Sequence, residues 1–179
     1  MDWLVGGDRT ELAIERIYAA AADSAAIRGL DRLNVDDIAA RVGCSRATLY
    51  RHVGGKKALR DGVLARAISR VGGRTADAVA GLQGSERIEI AILSALAAVR
   101  EDPVAAAVVR GGPAVDKLLL GSPRLAATAA SLCGVDEPVA AEWIVRAVLS
   151  LLFWPMPDRA DEEFVVRSYV AAAVSGRPA

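Results

Sequence analysis

Alanine is the feature that most constrains how this chain can fold, since 36 of its 179 residues are alanine and only 4% are aromatic. Alanine has the highest intrinsic helix propensity of all residues and is depleted in strands. Apolar residues also recur at intervals of three and four along most of the chain, and no stretch alternates as a strand would. The sequence therefore predicts an all-α protein with about nine helices.

Several classes of protein are not expected from this sequence. The two cysteines, Cys44 and Cys133, are far apart and form no CxxC pattern, so neither a disulfide framework nor a zinc module is predicted. The N-terminal residues do not resemble a signal peptide. The most hydrophobic stretch, 143–156, contains Arg146 and is shorter than the roughly 20 apolar residues that a membrane span needs. We expect a cytoplasmic protein without metal, cofactor or membrane partner.

The net charge of zero conceals a strongly basic segment. Residues 1–40 carry a charge of −4, residues 41–70 carry +7, and residues 71–179 carry −3. Within the basic segment Asp61 is the only acidic residue. Such a segment in an otherwise acidic chain is typical of a surface that binds a polyanion. A solvated basic helix face is the other interpretation, and charge alone does not decide between them.

Residues that start and stop helices divide the N-terminal part of the chain. A loose arm over residues 1–10 should precede a helix that Gly29 ends. Asn34 is a strong N-cap for a second helix and Ser45 for a third, while Gly43 permits a tight turn between them. Two short helices joined in this way are typical of a helix-turn-helix, whose second helix can enter the major groove of DNA.

A more specific pattern runs through this region. It comprises Val35-Asp36-Asp37-Ile38-Ala39, Val42-Gly43 and the continuous run from Ser45 through Thr48-Leu49-Tyr50-Arg51-His52-Val53 to Lys56-Lys57-Ala58-Leu59. Over about residues 11–65 the chain resembles the DNA-binding domain of the TetR family of transcriptional regulators. The resemblance implies a helix-turn-helix domain over residues 1–60, formed by three helices. It further implies a larger helical ligand-binding and dimerisation domain over residues 61–179.

The resemblance also implies DNA contacts for eight residues. The positions that meet the DNA backbone in the family are occupied here by Ser45, Thr48, His52 and Lys56. The positions that read bases are occupied by Arg46 and Ala47, with Arg51 as a further candidate, and Tyr50 stands where a phosphate or a thymine is contacted. Taken singly, Tyr50 also fits a half-buried core aromatic residue, and His52 fits a solvated turn residue.

Two C-terminal segments, 138–154 and 161–175, carry more apolar surface than one helix face can hold. A central core helix is one interpretation of the first. With the resemblance, we expect a homodimer interface formed by Val139, Trp143, Arg146, Ala147, Leu151, Val166, Tyr169 and Val170. The resemblance also implies a pocket for a mainly apolar effector, with candidate lining residues Ile92, Leu96, Val99, Val109, Leu118, Leu119 and Trp143.

Together these features predict a ligand-responsive transcriptional regulator that binds a palindromic double-stranded DNA operator as a homodimer, with repression as the favoured output. The chain has no GxSxG, HExxH or glycine-rich phosphate loop, and its one histidine lies in the basic segment. An enzyme is therefore not expected. The alternative is a helical ligand-binding or adaptor module that keeps this fold without binding DNA.

Overall fold

The computed structural model describes residues 4–111 and 122–175, and every regular element in these residues is helical. The first six helices are α1 (Leu4–Arg28), α2 (Val35–Val42), α3 (Arg46–Val53), α4 (Lys56–Ala78), α5 (Gly84–Glu101) and α6 (Pro103–Arg110). They are followed by α7 (Pro123–Cys133), α8 (Pro138–Phe153) and α9, which starts at Arg159 and continues to Ser175. The all-α prediction, with about nine helices, is confirmed for the described residues.

The last helix changes its winding part-way along. It is α-helical over Arg159–Val165, π-helical over Val166–Ala171 and α-helical again over Ala172–Ser175. The wider turn brings together two aromatic rings five residues apart, because Phe164 and Tyr169 pack edge to face with their centroids 5.8 Å apart. Both rings belong to the exposed surface of the second unit defined below.

The chain divides into two compact units. The first runs up to Ala67 and includes Pro103–Val108, and the second comprises Ile68–Asp102 and the described residues from Val109 onward. The division therefore falls inside α4. The domain boundary between residues 60 and 61 remains a prediction from the sequence.

The first helix begins earlier than the sequence predicts. The glycine pair favours a loose arm over residues 1–10, but α1 begins at Leu4 and includes Gly6 and Gly7. A glycine inside a helix costs only about 1 kcal/mol relative to alanine, so a glycine pair can be carried by the helix that follows it. The end of α1 agrees with the sequence, since Gly29 follows Arg28 with a φ of 89°.

The core of the first unit is built from small and branched apolar residues. It contains Ile17, Ala20, Ala21, Ala25, Leu30, Leu33, Val35, Ile38, Ala39, Leu49, Val53, Leu59, Val63 and Ala67. Helices α1, α2 and α3 contact one another pairwise. Alanine at the contact positions lets the helix backbones approach closely, so three short helices can hold a defined arrangement around few large side chains.

The core of the second unit combines α5, α7, α8 and α9. Its buried members include Ile88, Ala91, Ile92, Leu96, Cys133, Ile144, Ala147, Leu151, Val166 and Val170. One ion pair reinforces it, because both terminal nitrogens of Arg100 on α5 donate to the buried carboxylate of Glu162 on α9, at 2.8 and 2.6 Å. The hydrogen bonds to Glu162 raise the pKa of Arg100, so this guanidinium stays charged where it is partly buried.

Candidate nucleic-acid interface

The turn between α2 and α3 is fixed by caps at both helix starts. The Asn34 side-chain oxygen accepts hydrogen bonds from the backbone N–H groups of Asp36 and Asp37, at 2.9 and 3.4 Å. The Ser45 hydroxyl accepts one from the backbone N–H of Thr48, at 3.1 Å. Gly43 ends α2 in the left-handed region, with a φ of 74°. Both N-caps and the glycine turn agree with the sequence prediction, since each supplies what a helix terminus lacks.

One side of α3 is anchored and the other is free. Leu49 and Val53 are buried in the core of the first unit, and the side chain of Leu49 is completely enclosed. Ala47 and Arg51 are exposed on the opposite side, and Arg46 is exposed at the first residue of the helix. A helix fixed by its apolar residues can offer its polar side as a rigid surface, which is the arrangement that groove recognition requires.

Arg46 is held in place by two neighbours within the first unit. Its guanidinium donates to the Asp36 carboxylate on α2 at 3.2 Å and to the Tyr50 hydroxyl at 2.9 Å. It also lies over the Tyr50 ring, 5.1 Å from the centroid. The hydrogen bond to Tyr50 and the charge of Asp36 raise the pKa of Arg46. Asp36, Arg46 and Tyr50 therefore form a connected cluster of side chains that joins α2 to the first turn of α3.

The eight predicted DNA-contact residues lie on one continuous stretch, from the cap of α3 through α3 to the first residue of α4. Ser45 and Lys56 are exposed, whereas Thr48, Tyr50 and His52 are half-buried. The Ser45 and Thr48 hydroxyl oxygens lie 3.0 Å apart, within hydrogen-bonding distance. Tyr50 is half-buried, as the core interpretation expects, and its hydroxyl also accepts a hydrogen bond from Arg46, so the role of Tyr50 toward DNA stays a prediction.

Ion pairing divides the cations of the first unit into two groups. Five arginines pair with carboxylates of the same unit, namely Arg28 with Asp37, Arg41 with Asp23, Arg46 with Asp36, Arg60 with Asp31 and Arg66 with Glu15. Within the basic segment 41–70, Arg51, Lys56 and Lys57 have no carboxylate partner among the described residues. The uncompensated positive charge of that segment thus lies on α3 and at the start of α4.

The described members of the predicted effector pocket lie in different environments. Ile92 and Leu96 belong to the core of the second unit, with at most 1% of their surface exposed, whereas Trp143 is 51% exposed. Val99 and Val109 are half-buried. Leu118 and Leu119 lie outside the described residues. Trp143 therefore lies at the surface of its unit, whereas Ile92 and Leu96 are enclosed in the core of that unit.

The predicted dimer interface divides into an exposed set and a buried set. Ala147, Leu151, Val166 and Val170 lie in the core of their own unit, so this part of the prediction is corrected. Val139, Trp143 and Tyr169 are exposed by 63%, 51% and 64%, and Arg146 is exposed beside its ion-pair partner Glu142. Only this second set is available to a partner. Periodicity identified two apolar sides on α8 but not which of them faces the core.

The described part of the chain contains neither a metal cluster nor a membrane span. No group of three histidine, cysteine, aspartate or glutamate side chains in residues 4–111 and 122–175 is placed to hold a metal ion. In the same ranges no helix combines the length and the apolar character that crossing a bilayer requires.

Comparison with known proteins assigns this arrangement to a family. The family model described as bacterial regulatory proteins, tetR family, matches residues 17–63. An uncharacterized HTH-type transcriptional regulator of Mycobacterium tuberculosis is 35% identical over 184 residues, which cover 97% of this chain and 91% of that protein. The chain belongs to the TetR family. It is thus a helix-turn-helix transcriptional regulator and not an enzyme.

Solved structures of the TetR family share the fold. The transcriptional repressor QsdR of R. erythropolis is 25% identical, with 94% of this chain and 98% of that chain covered and a TM-score of 0.61. The repressor AlkX of Dietzia sp., implicated in biodegradation of n-alkanes, is 19% identical, with 90% and 94% covered and a TM-score of 0.61. The second likeness concerns the fold alone.

The structure places several residues at the surface or at a cleft that the sequence analysis does not single out. Arg9 and Arg16 lie near α3 although they belong to the acidic N-terminal segment, where a regional sum of charge hides them. Their spacing of seven on one helix is the signal that could have found them. Phe164 and Trp154 are exposed aromatic residues of the second unit, 57% and 66% accessible, and the sequence assigns them to no surface.

Proposed function

We propose that this TetR-family regulator is a ligand-responsive repressor that binds a palindromic operator as a homodimer in the cytoplasm, where chromosomal DNA lies. The observation that carries the proposal is the exposed side of α3, where Arg46, Ala47 and Arg51 are fixed on a helix anchored by Leu49. Phosphate contacts from Ser45, Thr48, His52 and Lys56 would supply affinity, and the side chains on α3 would supply sequence preference.

The homodimer is supported by the exposed apolar residues of α8 and α9. Val139, Trp143 and Tyr169 leave large apolar side chains in solvent, and aromatic residues are enriched at the centres of interfaces. A symmetric dimer also suits the proposed target. Two recognition helices must reach half-sites that lie about one helical turn of DNA, or a multiple of it, apart.

Repression and effector control rest on the family. QsdR and AlkX are both named as repressors, and AlkX is implicated in n-alkane degradation. We propose a mainly apolar effector for this chain because its middle helices are rich in branched aliphatic residues. The effector would act through differential affinity, favouring a dimer in which the two α3 helices no longer match the half-site spacing.

Lys56→Ala tests the phosphate part of this proposal. We expect weaker binding to every duplex. We also expect the salt slope, the slope of the logarithm of the binding constant against the logarithm of salt concentration, to become shallower by about one unit for each bound protomer, because one phosphate contact releases about one counterion. Fluorescence anisotropy with the DNA upstream of the protein's own coding sequence and with a random duplex, at several salt concentrations, measures both quantities.

The same titration separates the repressor from the adaptor alternative. If no duplex binds the wild-type protein better than dextran sulfate does, the regulator does not recognise DNA and the adaptor interpretation stands. If Lys56→Ala leaves binding to random DNA unchanged, the phosphate role of Lys56 is wrong while DNA recognition itself survives.

A further inference from the structure

A cleft of about 290 Å³ lies between α1 and the helix-turn-helix inside the first unit, and its lining combines the aliphatic side chains of Leu12, Ala13, Ile17 and Val42 with five polar or thiol side chains. Arg9 and Arg16 contribute from α1, and Cys44, Thr48 and His52 contribute from the turn and α3. The α1 residues are seven apart and the α3 residues four apart, so each set forms a stripe along one side of its helix. The cleft is thus formed by two helix faces with cations or hydrogen-bond donors on both.

The charge of the cleft is unusual for this unit. None of its nine lining residues is acidic, although the N-terminal 40 residues carry twice as many acidic as basic side chains. Glu15, the acidic neighbour of Arg16, pairs instead with Arg66 on α4, at 2.7 Å. The carboxylate of Glu15 therefore neutralises Arg66 and does not line the cleft.

The two arginines also differ from most other arginines of the unit. Arg28, Arg41, Arg46, Arg60 and Arg66 each pair with a carboxylate, whereas Arg9 and Arg16 are exposed and have no carboxylate partner among the described residues. A guanidinium carries five N–H donors and no acceptor, so these two groups are available to a ligand that offers acceptors and negative charge.

We propose that this cleft holds the sugar-phosphate backbone of the DNA strand that flanks the groove entered by α3. Arg9 and Arg16 bind phosphate oxygens, while the Thr48 hydroxyl and the His52 ring contact the same strand from the α3 side. The inference rests on the proposed function and extends it from the helix-turn-helix to α1. Arg9 and Arg16 thereby become positioning contacts that fix how deeply α3 enters the groove.

A backbone phosphate fits the cleft better than a small anion does. The arginines lie about two helical turns apart, roughly 10 Å along α1, so one small ion cannot reach both of them. A nucleic-acid strand presents its charges in a row and serves both at once. The cleft also adjoins Ser45 and Thr48 at the N-terminal end of α3, the end that approaches bases in a helix-turn-helix.

The first test compares two double variants that remove the same charge. Arg9→Ala/Arg16→Ala removes two unpaired arginines, and Arg28→Ala/Arg41→Ala removes two that are ion-paired and exposed. For the first we expect weaker binding to operator and random duplex, with a salt slope about two units shallower per bound protomer. The second should stay close to wild type, and Arg9→Lys/Arg16→Lys should recover most of the slope. Circular dichroism melting checks that all variants fold.

Cys44 supplies an independent readout at the cleft itself. The chain has one other thiol, Cys133, which is buried, and burial raises the pKa of that thiol to about 11. Cys44 is only half-buried, so it is the thiol that a reagent in solution reaches more readily. We expect saturating duplex to slow N-ethylmaleimide alkylation of Cys44 severalfold. Mass spectrometry of the peptide that contains Cys44 measures the rate.

Each outcome decides the proposal. Equal salt slopes for the two alanine double variants, or a Cys44 alkylation rate that saturating duplex leaves unchanged, would overturn the cleft assignment. If Lys56→Ala still weakens binding in those cases, DNA recognition by the helix-turn-helix survives and only the role of α1 is lost. If the wild-type protein binds no duplex at all, both the cleft and the proposed function fail.

Discussion

At the scale of single residues, Arg46 links the two helices of the motif. Its contacts with Asp36 and Tyr50 restrict the guanidinium before any DNA arrives. A side chain that is already ordered loses less conformational entropy on binding than a free one. If Arg46 reads a base as proposed, the exposed carboxylate of Asp36 must share or release it, and this exchange favours bases that offer a better pair of acceptors.

Arg46→Ala should relax operator preference at one base-pair position. We expect discrimination at that position to fall by about tenfold, because a bidentate arginine contact with guanine is the usual source of such preference. Binding to random DNA should change much less. A binding-selection experiment with randomised half-sites gives the profile, and an unaltered profile would contradict the base-reading role.

Most helix boundaries in the first unit can be predicted because single residues determine them. Asn34, Gly43 and Ser45 act through hydrogen bonds and backbone geometry within a few residues, which sequence alone reveals. The DNA-facing role proposed for Arg9 cannot be predicted in this way, because it depends on how α1 packs against α3. Long-range packing also decides which side of α8 is buried, and helical periodicity carries no information on that choice.

At the scale of elements, α4 shows two opposite uses of glycine. A Cβ atom at Gly62 would lie 2.4 to 2.7 Å from atoms of the Tyr18 ring on α1, so this position requires glycine for close packing. The ring also carries the Arg66 guanidinium, 4.1 Å from its centroid. At Gly73 no described atom beyond the helix's own backbone lies within 4 Å of the place that a Cβ atom would take, so packing does not require glycine there.

Gly62→Ala and Gly73→Ala should therefore shift stability in opposite directions. The first should lower the free energy of unfolding by about 1–3 kcal/mol through overpacking. The second should raise it by about 0.5–1 kcal/mol, because alanine favours the helix. Urea denaturation measures both. Equal effects of the two variants would contradict the close contact between α1 and α4, and Tyr18→Ala should relieve part of the loss in Gly62→Ala.

The last helix begins just before the apolar segment 161–175 that the sequence analysis identifies. The Asp158 carboxylate caps it, because it accepts a hydrogen bond from the Asp161 N–H group, at 2.8 Å. Both residues are good N-caps, and the preceding prolines do not distinguish them. The start at Arg159 places Glu162 in the first turn, where its carboxylate reaches Arg100. Asp158 and Asp161 are thus equivalent caps locally, and the cap at Asp158 is the one that accompanies the ion pair between Arg100 and Glu162.

At the scale of the whole molecule, the proposed homodimer depends on the exposed side of α8 and α9. Removing a large aromatic side chain from the centre of an interface commonly costs about 2 kcal/mol or more, and in a symmetric dimer the change occurs twice. We therefore expect Trp143→Ala to raise the dimer dissociation constant by well over tenfold. Sedimentation equilibrium measures this constant directly.

Ile27→Ala is the matched control for that measurement. Ile27 is 81% exposed but belongs to the first unit, where the proposal places no dimer contact. Its substitution should leave the dissociation constant unchanged. A monomeric wild-type protein, or an equal effect of both substitutions, would contradict the proposed interface. DNA binding by Trp143→Ala should also show its steep dependence on protein concentration at higher concentrations than in the wild type, because the dimer forms only there.

The π-helical stretch of α9 has a consequence for comparing this chain with its relatives. A widened turn accommodates one residue more than the α-helical path would, and each residue in an α-helix advances by about 100°. If a relative lacks that extra residue, an ungapped alignment through Val166–Ala171 assigns every later position to the wrong side of the helix. An alignment of this segment therefore needs a gap at the π-helical turn. Only then can residues of relatives be compared to infer which subunits associate.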